Sequence, residues 1–330
     1  MHRFAWLYLE GLGVWGLIRL VVGDRGSLLF AVNSLALYMF VPLPLVLGVV
    51  AYTRRWDMLA GFVVAAAAWI YLWGALFLPN GSTGDVEGPR LTVMTYNLLG
   101  FSRGPESVVE TIRESDADVV GLVELNQENA AAIGRELATE YPYQTLTPGE
   151  GVRGYGLISR VPFKELRGVL QDDGWVGRPI VIEFDLDGVA VTLVELHAAA
   201  SPNGWKARER QAHKLADYAR EAEAEGTPLI IAGDFNATST NVSYAIMADA
   251  LTDSWREAGA GFGNTFPGAS KSQTPGSSRP AIFGISAPKW LIRIDYVFHS
   301  REWRAVSARN GRFDGHSDHR SLIVELVLKR

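Results

Sequence analysis

Three apolar stretches dominate the first eighty residues of the chain. They run over residues 4–22, 28–52 and 58–78, and the second and third contain no charged side chain. Stretches of about twenty residues are long enough to cross a bilayer as helices, whereas helices of soluble domains are usually shorter. A cleaved signal peptide has only one such stretch. The pattern therefore predicts a transmembrane segment of two to three helices over residues 1–78.

The placement of charge predicts which side of the membrane each end faces. Arg54 and Arg55 connect the second and third stretches, and Arg3 lies near the N-terminus. Positive residues in short connections favour the cytoplasmic side. With three spans, everything after the third stretch is then extracytoplasmic, although Arg19 and Arg25 lie near the opposite face. We expect an integral protein of a bacterial-type cytoplasmic membrane, with its large remaining region outside the cytoplasm.

Beyond a polar linker with Gly and Pro at residues 79–90, the apolar runs shorten to strand length and alternate with helical spacing. Strands are predicted at 91–96, 118–125, 156–159, 163–170, 180–186, 189–196, 229–232, 291–299, 303–309 and 322–328. Helices are predicted at 105–115, 126–139, 205–225 and 243–250. A stretch rich in Gly, Ser and Pro at 259–288 predicts a loop. The pattern indicates an α/β domain over residues 91–330.

Composition and charge limit the kinds of site and substrate that this domain can have. The chain has no cysteine, which excludes disulfides, a thiolate nucleophile and Cys-based zinc sites. Residues 1–84 carry five basic and three acidic side chains, so the remainder carries 26 basic and 33 acidic ones. An acidic domain lacks the broad basic field on which non-specific nucleic-acid binding depends. This balance argues against a nucleic-acid enzyme, although a local basic rim would restore that possibility.

Polar side chains stand at the ends of otherwise apolar predicted strands, or inside them. In residues 228–238 a short buried strand runs into Asp234 and Asn236, whose spacing places both side chains on one face. A strand-to-turn junction in which both residues bond their own backbone is the alternative. Solvent exposure of Glu124 and a structural role for His197 are alternatives of the same kind. The full set comprises Asn97, Glu124, His197, Asp234, Asn236, Asp295, Asp318 and His319.

Eight such positions in one domain predict strand ends that converge on a single acidic pocket. Oxygen ligands without a thiol suit Mg²⁺, Mn²⁺ or Ca²⁺ rather than structural zinc. A divalent cation would offset the acidic cluster, which would otherwise repel an anionic substrate. By residue type, the set predicts a metal-assisted phosphoester site.

The order of these positions resembles the endonuclease/exonuclease/phosphatase superfamily, with the fold of pancreatic deoxyribonuclease. The resemblance covers residues 91–330. It rests on Thr95–Asn97, Leu122–Glu124, Gly154–Arg160, Glu195–His197, Gly233–Asn236, Arg293–Phe298 and Ser317–His319, in the family's order. Leu99 and Val123 depart from the family pattern, where some members have a second acid and many have Gln. The resemblance implies a four-layer α/β sandwich, in which two mixed β-sheets pack face to face with helices outside.

The resemblance also implies which residues hold the metal. Glu124 would bind the divalent ion, with Asn97 and Asp318 close to it. The expected ion is Mg²⁺, with Mn²⁺ or Ca²⁺ as alternatives. Tyr155 is a further candidate for a residue that faces the phosphate.

The remaining matches imply catalytic roles. Asp234 would orient or deprotonate the attacking water, and Asn236 would hold the scissile phosphate. His319, oriented by Asp295, would contact the phosphate and stabilise its charge. His197 matches the histidine with which nuclease and phospholipase members contact the phosphate or protonate the leaving oxygen. Apurinic endonucleases lack that histidine, so its presence argues against abasic-site repair.

We therefore expect a membrane-tethered, Mg²⁺-dependent phosphodiesterase or phosphatase, bound to the lipid bilayer through residues 1–78 and without an obligate protein partner. Its substrate would be a lipid headgroup or a nucleic acid. A nuclease of the same fold is the first alternative, and a catalytically silent scaffold is the second. A transporter is disfavoured because the three spans carry no polar pathway. The nuclease would be favoured by a basic rim near Arg153, Arg160, Arg178, Lys206, Arg208 and Arg210.

Overall fold

The chain divides into an N-terminal group of helices and a pair of β-sheets. This description rests on a computed structural model, which describes residues 1–78, 87–101, 104–170, 174–268, 281–282 and 285–329. Most of the predicted linker at 79–90 lies outside the described residues, and so does much of the predicted loop at 259–288.

The N-terminal group contains three helical spans that are long and apolar enough to cross a membrane, by length and composition. They cover residues 2–22, 36–53 and 57–77. The helices are α1 (His2–Val22), α2 (Ser27–Ser34), α3 (Ala36–Met39), α4 (Leu43–Thr53) and α5 (Asp57–Trp73), with a 3₁₀ turn at Gly74–Phe77. Large apolar side chains such as Leu20 and Tyr71 are 81% and 85% exposed on them. An apolar surface of this kind is typical of helices that face lipid.

The second apolar stretch differs from its prediction as one continuous helix. It breaks into α2, α3 and α4, and the span of membrane length begins only at Ala36. Pro42 and Pro44 account for the break before α4, because proline cannot donate the backbone hydrogen bond of a helix interior. Asn33 is buried in α2. The first stretch forms an unbroken helix, which favours three spans over two.

Two six-stranded mixed sheets form the rest of the molecule. The strands are β1 (Arg90–Asn97), β2 (Val119–Val123), β3 (Tyr143–Thr147), β4 (Tyr155–Ser159), β5 (Phe163–Glu165), β6 (Ile180–Leu186), β7 (Val189–His197), β8 (Leu229–Asp234), β9 (Thr252–Asp253), β10 (Ala281–Ile282), β11 (Ile285–Ser286), β12 (Asp295–His299), β13 (Trp303–Asn310) and β14 (Leu322–Leu328). The first sheet has the order β13-β14-β1-β2-β4-β3, and the second has the order β5-β6-β7-β8-β12-β9. Strands β10 and β11 pair only with each other.

Helices cover the outer face of each sheet. They are α6 (Pro105–Ser115), α7 (Gln127–Glu136), α8 (Trp205–Glu225) and α9 (Val242–Ala250). The short α10 (Ser254–Ala258) instead contributes Trp255 to the core between the sheets. One apolar core lies between the sheets and includes Val93, Leu193 and Val297. A second core packs α6 and α7 onto the first sheet, and a third packs α8 and α9 onto the second. The predicted four-layer α/β sandwich is confirmed.

Strand directions determine where the polar strand ends meet. Strands β1 and β2 are parallel, and so are β7 and β8, so each pair ends at one edge of its sheet. Strand β12 runs antiparallel to β8, and its first residue, Asp295, lies opposite Asp234. Five elements escaped prediction. They are β3, a half-exposed run without apolar alternation, the five-residue α10, and the two-residue strands β9, β10 and β11, of which the last two lie in the predicted loop at 259–288. The predicted strand at 291–299 begins four residues later, at Asp295.

A buried ion pair holds the chain just before β12. Arg293 donates from both terminal nitrogens to the two carboxylate oxygens of Asp253, at 2.9 and 2.7 Å. Tyr244 and the backbone N–H of Trp255 donate to the same carboxylate. Burial raises the pKa of Asp253, but the Arg293 guanidinium outweighs this effect, so the pKa lies below its ordinary value. The pair therefore anchors the start of the strand that carries Asp295.

We predict that Asp253→Asn destabilises the fold by about 3–5 kcal/mol at neutral pH, because it leaves a buried guanidinium without a counter-charge. The pKa of Asp253 is lower in the folded state than in the unfolded state. Its stabilising contribution is therefore complete above about pH 4 and is lost as the pH falls through the folded-state value. Urea unfolding in detergent should show a difference between wild type and variant that shrinks in acid. Asp217→Asn, at an exposed partner of Arg220, is the control. A difference of equal size at every pH would contradict the assignment.

Candidate active site

Asp234 lies at the centre of the polar strand ends and is almost fully buried. Its Oδ1 accepts from the Asn236 backbone N–H at 2.8 Å, and its Oδ2 accepts from Asn97 Nδ2 at 3.0 Å. The Nε2 atoms of His197 and His319 lie 3.5 and 3.8 Å from the same Oδ2. The carboxylate of β8 thus lies between two imidazoles, one at the end of the neighbouring β7 and one in the segment before β14 of the other sheet.

Glu124 directly follows β2 and has a left-handed backbone with φ 57°. Its Oε1 accepts from Asn97 Nδ2 at 3.0 Å, and its Oε2 accepts from the Gly100 N–H at 3.0 Å. The amide of Asn97 therefore bridges the carboxylates of Glu124 and Asp234, while its own Oδ1 accepts from the Leu99 N–H. Asn97 positions the two acids, and its role as a metal ligand stays a prediction.

His319 is held from both sides. Its Nδ1 lies 2.8 Å from Asp295 Oδ2, and its ring packs 5.0 Å from that of Phe266, centroid to centroid. The Ser317 hydroxyl accepts from the His319 backbone N–H and donates to the Asn97 carbonyl oxygen at 2.6 Å. These contacts fix the ring so that its Nε2 faces Asp234.

The site carries more negative charge than its histidines offset. Burial lowers the pKa of His319, but Asp295, Asp234 and Asp318 together raise it to about 10. Burial and the charge of Asp295 raise the pKa of Asp234 to about 6. Burial also raises the pKa of Asp318, and nearby Glu124 adds to that increase. Burial and neighbouring acids together raise these two carboxyl pKa values, and a further positive partner would lower them.

A divalent cation fits this donor set. Glu124 and Asp318 offer carboxylate oxygens, which are the ligands that Mg²⁺ prefers. Asp234, Asp295 and His319 also offer three ligand atoms within 4.8 Å of one another. Asp295 and His319 are already bonded to each other, through Oδ2 and Nδ1. We therefore place the candidate cation beside Glu124 and Asp318, with Asp234 close by.

Tyr155 lies inside the site, but its hydroxyl already has a backbone partner. It accepts from the His197 N–H at 2.7 Å, and the side chain is 2% exposed. In this arrangement Tyr155 positions His197. That Tyr155 faces the phosphate stays a prediction.

The structure also shows contributors that the sequence argument did not identify. Glu195, on β7 two residues before His197, is buried and accepts from the Thr95 hydroxyl at 2.7 Å. Burial raises the pKa of Glu195 well above its ordinary value. Gly121 makes room for it, because a Cβ there would lie 2.0 Å from Glu195 Oε2. Glu195 belongs to the motif Glu195–His197, but no role was predicted for it; the available signal was a carboxyl group within the apolar β7.

Comparisons with known proteins show the family and the fold. The sequence model of the Endonuclease/Exonuclease/phosphatase family matches residues 94–319. Among solved structures, truncated Caenorhabditis elegans TDP2 is similar at 19% identity and a TM-score of 0.57, covering 74% of this chain and 100% of that chain. D. rerio TDP2 complexed with single strand DNA product has 17% identity and a TM-score of 0.56, covering 72% and 98%.

The human Nocturnin catalytic domain with bound sulfate anion is similar at 19% identity and a TM-score of 0.51, covering 73% of this chain and 94% of that chain. At such identities these likenesses show the fold alone. No curated protein sequence matches the chain.

We predict that Glu124→Gln lowers the affinity for Mn²⁺ or Mg²⁺ by about 100-fold, as loss of a group that binds or orients a metal commonly does. The amide nitrogen that replaces one oxygen would also face the N–H of Gly100 or the amide of Asn97. Titration calorimetry on the full chain in detergent measures the effect. Glu128→Gln, at an exposed position of α7, should bind as wild type does. Unchanged affinity in Glu124→Gln would remove Glu124 from the metal site.

Proposed function

The chain belongs to the endonuclease/exonuclease/phosphatase family, and on that premise we propose that it is a membrane-tethered, Mg²⁺-dependent phosphodiesterase or phosphatase acting at the membrane surface. Members of this family hydrolyse phosphoester bonds. The observation that carries the proposal is the position of Asp234, buried between the imidazoles of His197 and His319 and beside the cation-binding acids. This arrangement offers a base, an acid and a cationic phosphate contact within one site.

Each residue of the site would have its own role in phosphoester hydrolysis. Asp234 accepts a proton from the water whose oxygen bonds to phosphorus. His319, kept protonated by its carboxylate neighbours, contacts the phosphate oxygens. His197 gives a proton to the ester oxygen that leaves as its bond to phosphorus breaks. Asn236, whose Nδ2 also donates to the Ala198 carbonyl oxygen at 3.2 Å, holds the phosphate. A cation bound there would polarise the phosphoryl oxygen as a Lewis acid.

The arrangement of the helices supports the proposed membrane orientation. Contacts with the sandwich come from Arg19 near the end of α1, Tyr38 near the start of the second span and Leu72 near the end of α5. The connection with Arg54 and Arg55 joins the other ends of the second and third spans. The sandwich and this positive connection therefore lie at opposite ends of the helices, as an extracytoplasmic catalytic domain requires.

Charge pairing in the predicted basic rim favours a lipid headgroup over nucleic acid. Arg160 is bound by Asp116 at 2.7 Å, and Arg178 pairs with Glu165. Arg208 is buried and stacks 3.9 Å over the ring of Phe30. Acids thus offset two of these cations and the third is buried, which reduces the positive charge that the rim offers to a phosphate backbone, on which nuclease affinity depends. The single-stranded DNA product in D. rerio TDP2 is the observation that favours the nuclease alternative.

We predict Mg²⁺-dependent turnover by the full chain in detergent, abolished by EDTA and reduced about 10³-fold in Asp234→Asn, a typical loss for a catalytic base. The assay would compare an aryl phosphodiester, an aryl phosphomonoester, plasmid DNA, RNA and phospholipid vesicles. Asp249→Asn, exposed on α9, is the matched control. Preference for vesicles supports the lipid proposal, and preference for DNA or RNA supports the nuclease. A folded wild type without turnover on any substrate would contradict both and favour a silent scaffold.

The absence of cysteine allows a direct test of orientation. Glu183→Cys places one thiol on an exposed strand position of the sandwich, and Asp57→Cys places one beside Arg54 and Arg55 without removing them. We predict that a membrane-impermeant maleimide labels the first variant on intact cells and the second only after lysis. The reverse pattern would place the catalytic domain in the cytoplasm.

A further inference from the structure

A buried hydrogen-bond network joins the N-terminal helices to the loop that carries Asn236. The loop leaves β8 at Asp234 and ends at Asn241, the residue before α9. On the side of the helices, the network contains Asp24, between α1 and α2, and Asn33 within α2. Asp24, Asn33 and Asn241 are 5%, 1% and 0% exposed. Polar groups this deeply buried are costly unless their hydrogen bonds are made, so the network fixes what it connects.

Asp24 supplies the cap of α9 from more than two hundred residues away in the sequence. Its Oδ2 accepts from the Val242 N–H, the first N–H of α9, at 2.6 Å. Its Oδ1 accepts from Asn33 Nδ2 at 2.6 Å and from Asn241 Nδ2 at 3.3 Å. Asn241 itself makes no side-chain cap bond to α9. A carboxylate here satisfies an unpaired helix N–H and complements the positive end of the helix dipole.

Further bonds tie the middle of the loop to the same helices. The Thr240 hydroxyl donates to the Asn33 carbonyl oxygen at 2.6 Å, and Arg19 Nε donates to the Thr240 carbonyl oxygen at 3.0 Å. Asn241 Oδ1 accepts from the Thr238 N–H at 2.8 Å and from the Ser34 hydroxyl at 3.0 Å. The loop after Asn236 is thus held between β8 on one side and the helical segment on the other.

We propose that the N-terminal helical segment is part of the active site, and that Asp24 is a positioning residue that holds the loop carrying Asn236. Asn236 has a left-handed backbone with φ 48°, a conformation that a non-glycine residue keeps only when its surroundings impose it. Asp234 imposes it from one side, through the Asn236 N–H. The bonds of Asp24, Asn33 and Thr240 impose it from the other. This inference rests on the proposed function for its catalytic readout.

Asp24→Asn is the sharpest test, because it keeps the size of the side chain. All three partners of the carboxylate are N–H donors, so an amide must place its own N–H against at least one of them. In the full chain in detergent, kcat should fall about tenfold while KM changes less, since a displacement below 1 Å in a positioning group costs up to about 100-fold. Hydrogen exchange should speed up in residues 238–245 and stay unchanged in β1 and β14.

Asp57→Asn is the matched control, because Asp57 is an exposed acid at the far end of the same helical segment. It should retain the wild-type kcat and exchange. Thr240→Val removes the bond to the Asn33 carbonyl oxygen and the contact between the Thr240 and Thr238 hydroxyls. It should produce the same local pattern more weakly, and it carries the test if Asp24→Asn does not fold.

Wild-type kcat and exchange in Asp24→Asn, or exchange that speeds up equally throughout the sandwich, would overturn the proposal. An inactive wild type would count against the proposed function instead. Local loosening of residues 238–245 in Asp24→Asn would then still support the coupling between Asp24 and the loop.

Discussion

Four buried or nearly buried carboxylates, those of Glu124, Asp234, Asp295 and Asp318, crowd into one end of the β-sandwich. Their charges repel one another in a low-dielectric site, and the surrounding residues are placed to offset that repulsion. Asn97 donates to two of them, the Gly100 N–H donates to one, and His319 is charged by their presence. Burial, together with the repulsion that remains, raises the pKa of Asp234 and Asp318. A divalent cation would offset the excess negative charge and would in turn attract an anionic phosphate. The crowding of acids therefore suits the site to phosphoester hydrolysis.

The sandwich and most of this site could be predicted from sequence because strand ends carry their own signal. A carboxylate or imidazole at the end of an apolar run, as at Asp234 or His197, indicates the end of a strand. Parallel neighbouring strands then bring such ends to the same edge of the sheet. Contacts between distant segments gave no such signal. Asp24 looks like an ordinary polar residue after an apolar helix, and nothing local relates it to Val242. The pairing of Arg160 and Arg178 with acids also depends on the fold, so a basic rim counted from sequence overestimates the free positive charge.

Under the proposed function, the helical segment connects membrane attachment to catalysis. Its polar contacts reach the loop after Asn236 and the chain before β12, where Tyr38 donates to the Leu291 carbonyl oxygen at 2.6 Å. Arg293, buried with Asp253 nearby, anchors that same approach to Asp295. The loop after Asn236 and the chain before β12 are thus both held by residues outside the candidate active site. Under the proposed orientation, this places the active-site end of the sandwich next to the bilayer surface, where a lipid headgroup would be encountered.

The location of a bound metal tests the central claim most directly. Anomalous scattering from Mn²⁺ in a crystal of the full chain would locate the ion independently of any assumed substrate. The structure predicts a single strong peak at about 2.0–2.6 Å from carboxylate oxygens of Glu124 and Asp318, the range for hard divalent cations bound to oxygen. A peak between Asp295 and His319 in place of their hydrogen bond, or no peak among these acids at saturating Mn²⁺, would contradict a metal-dependent phosphoester site of this design.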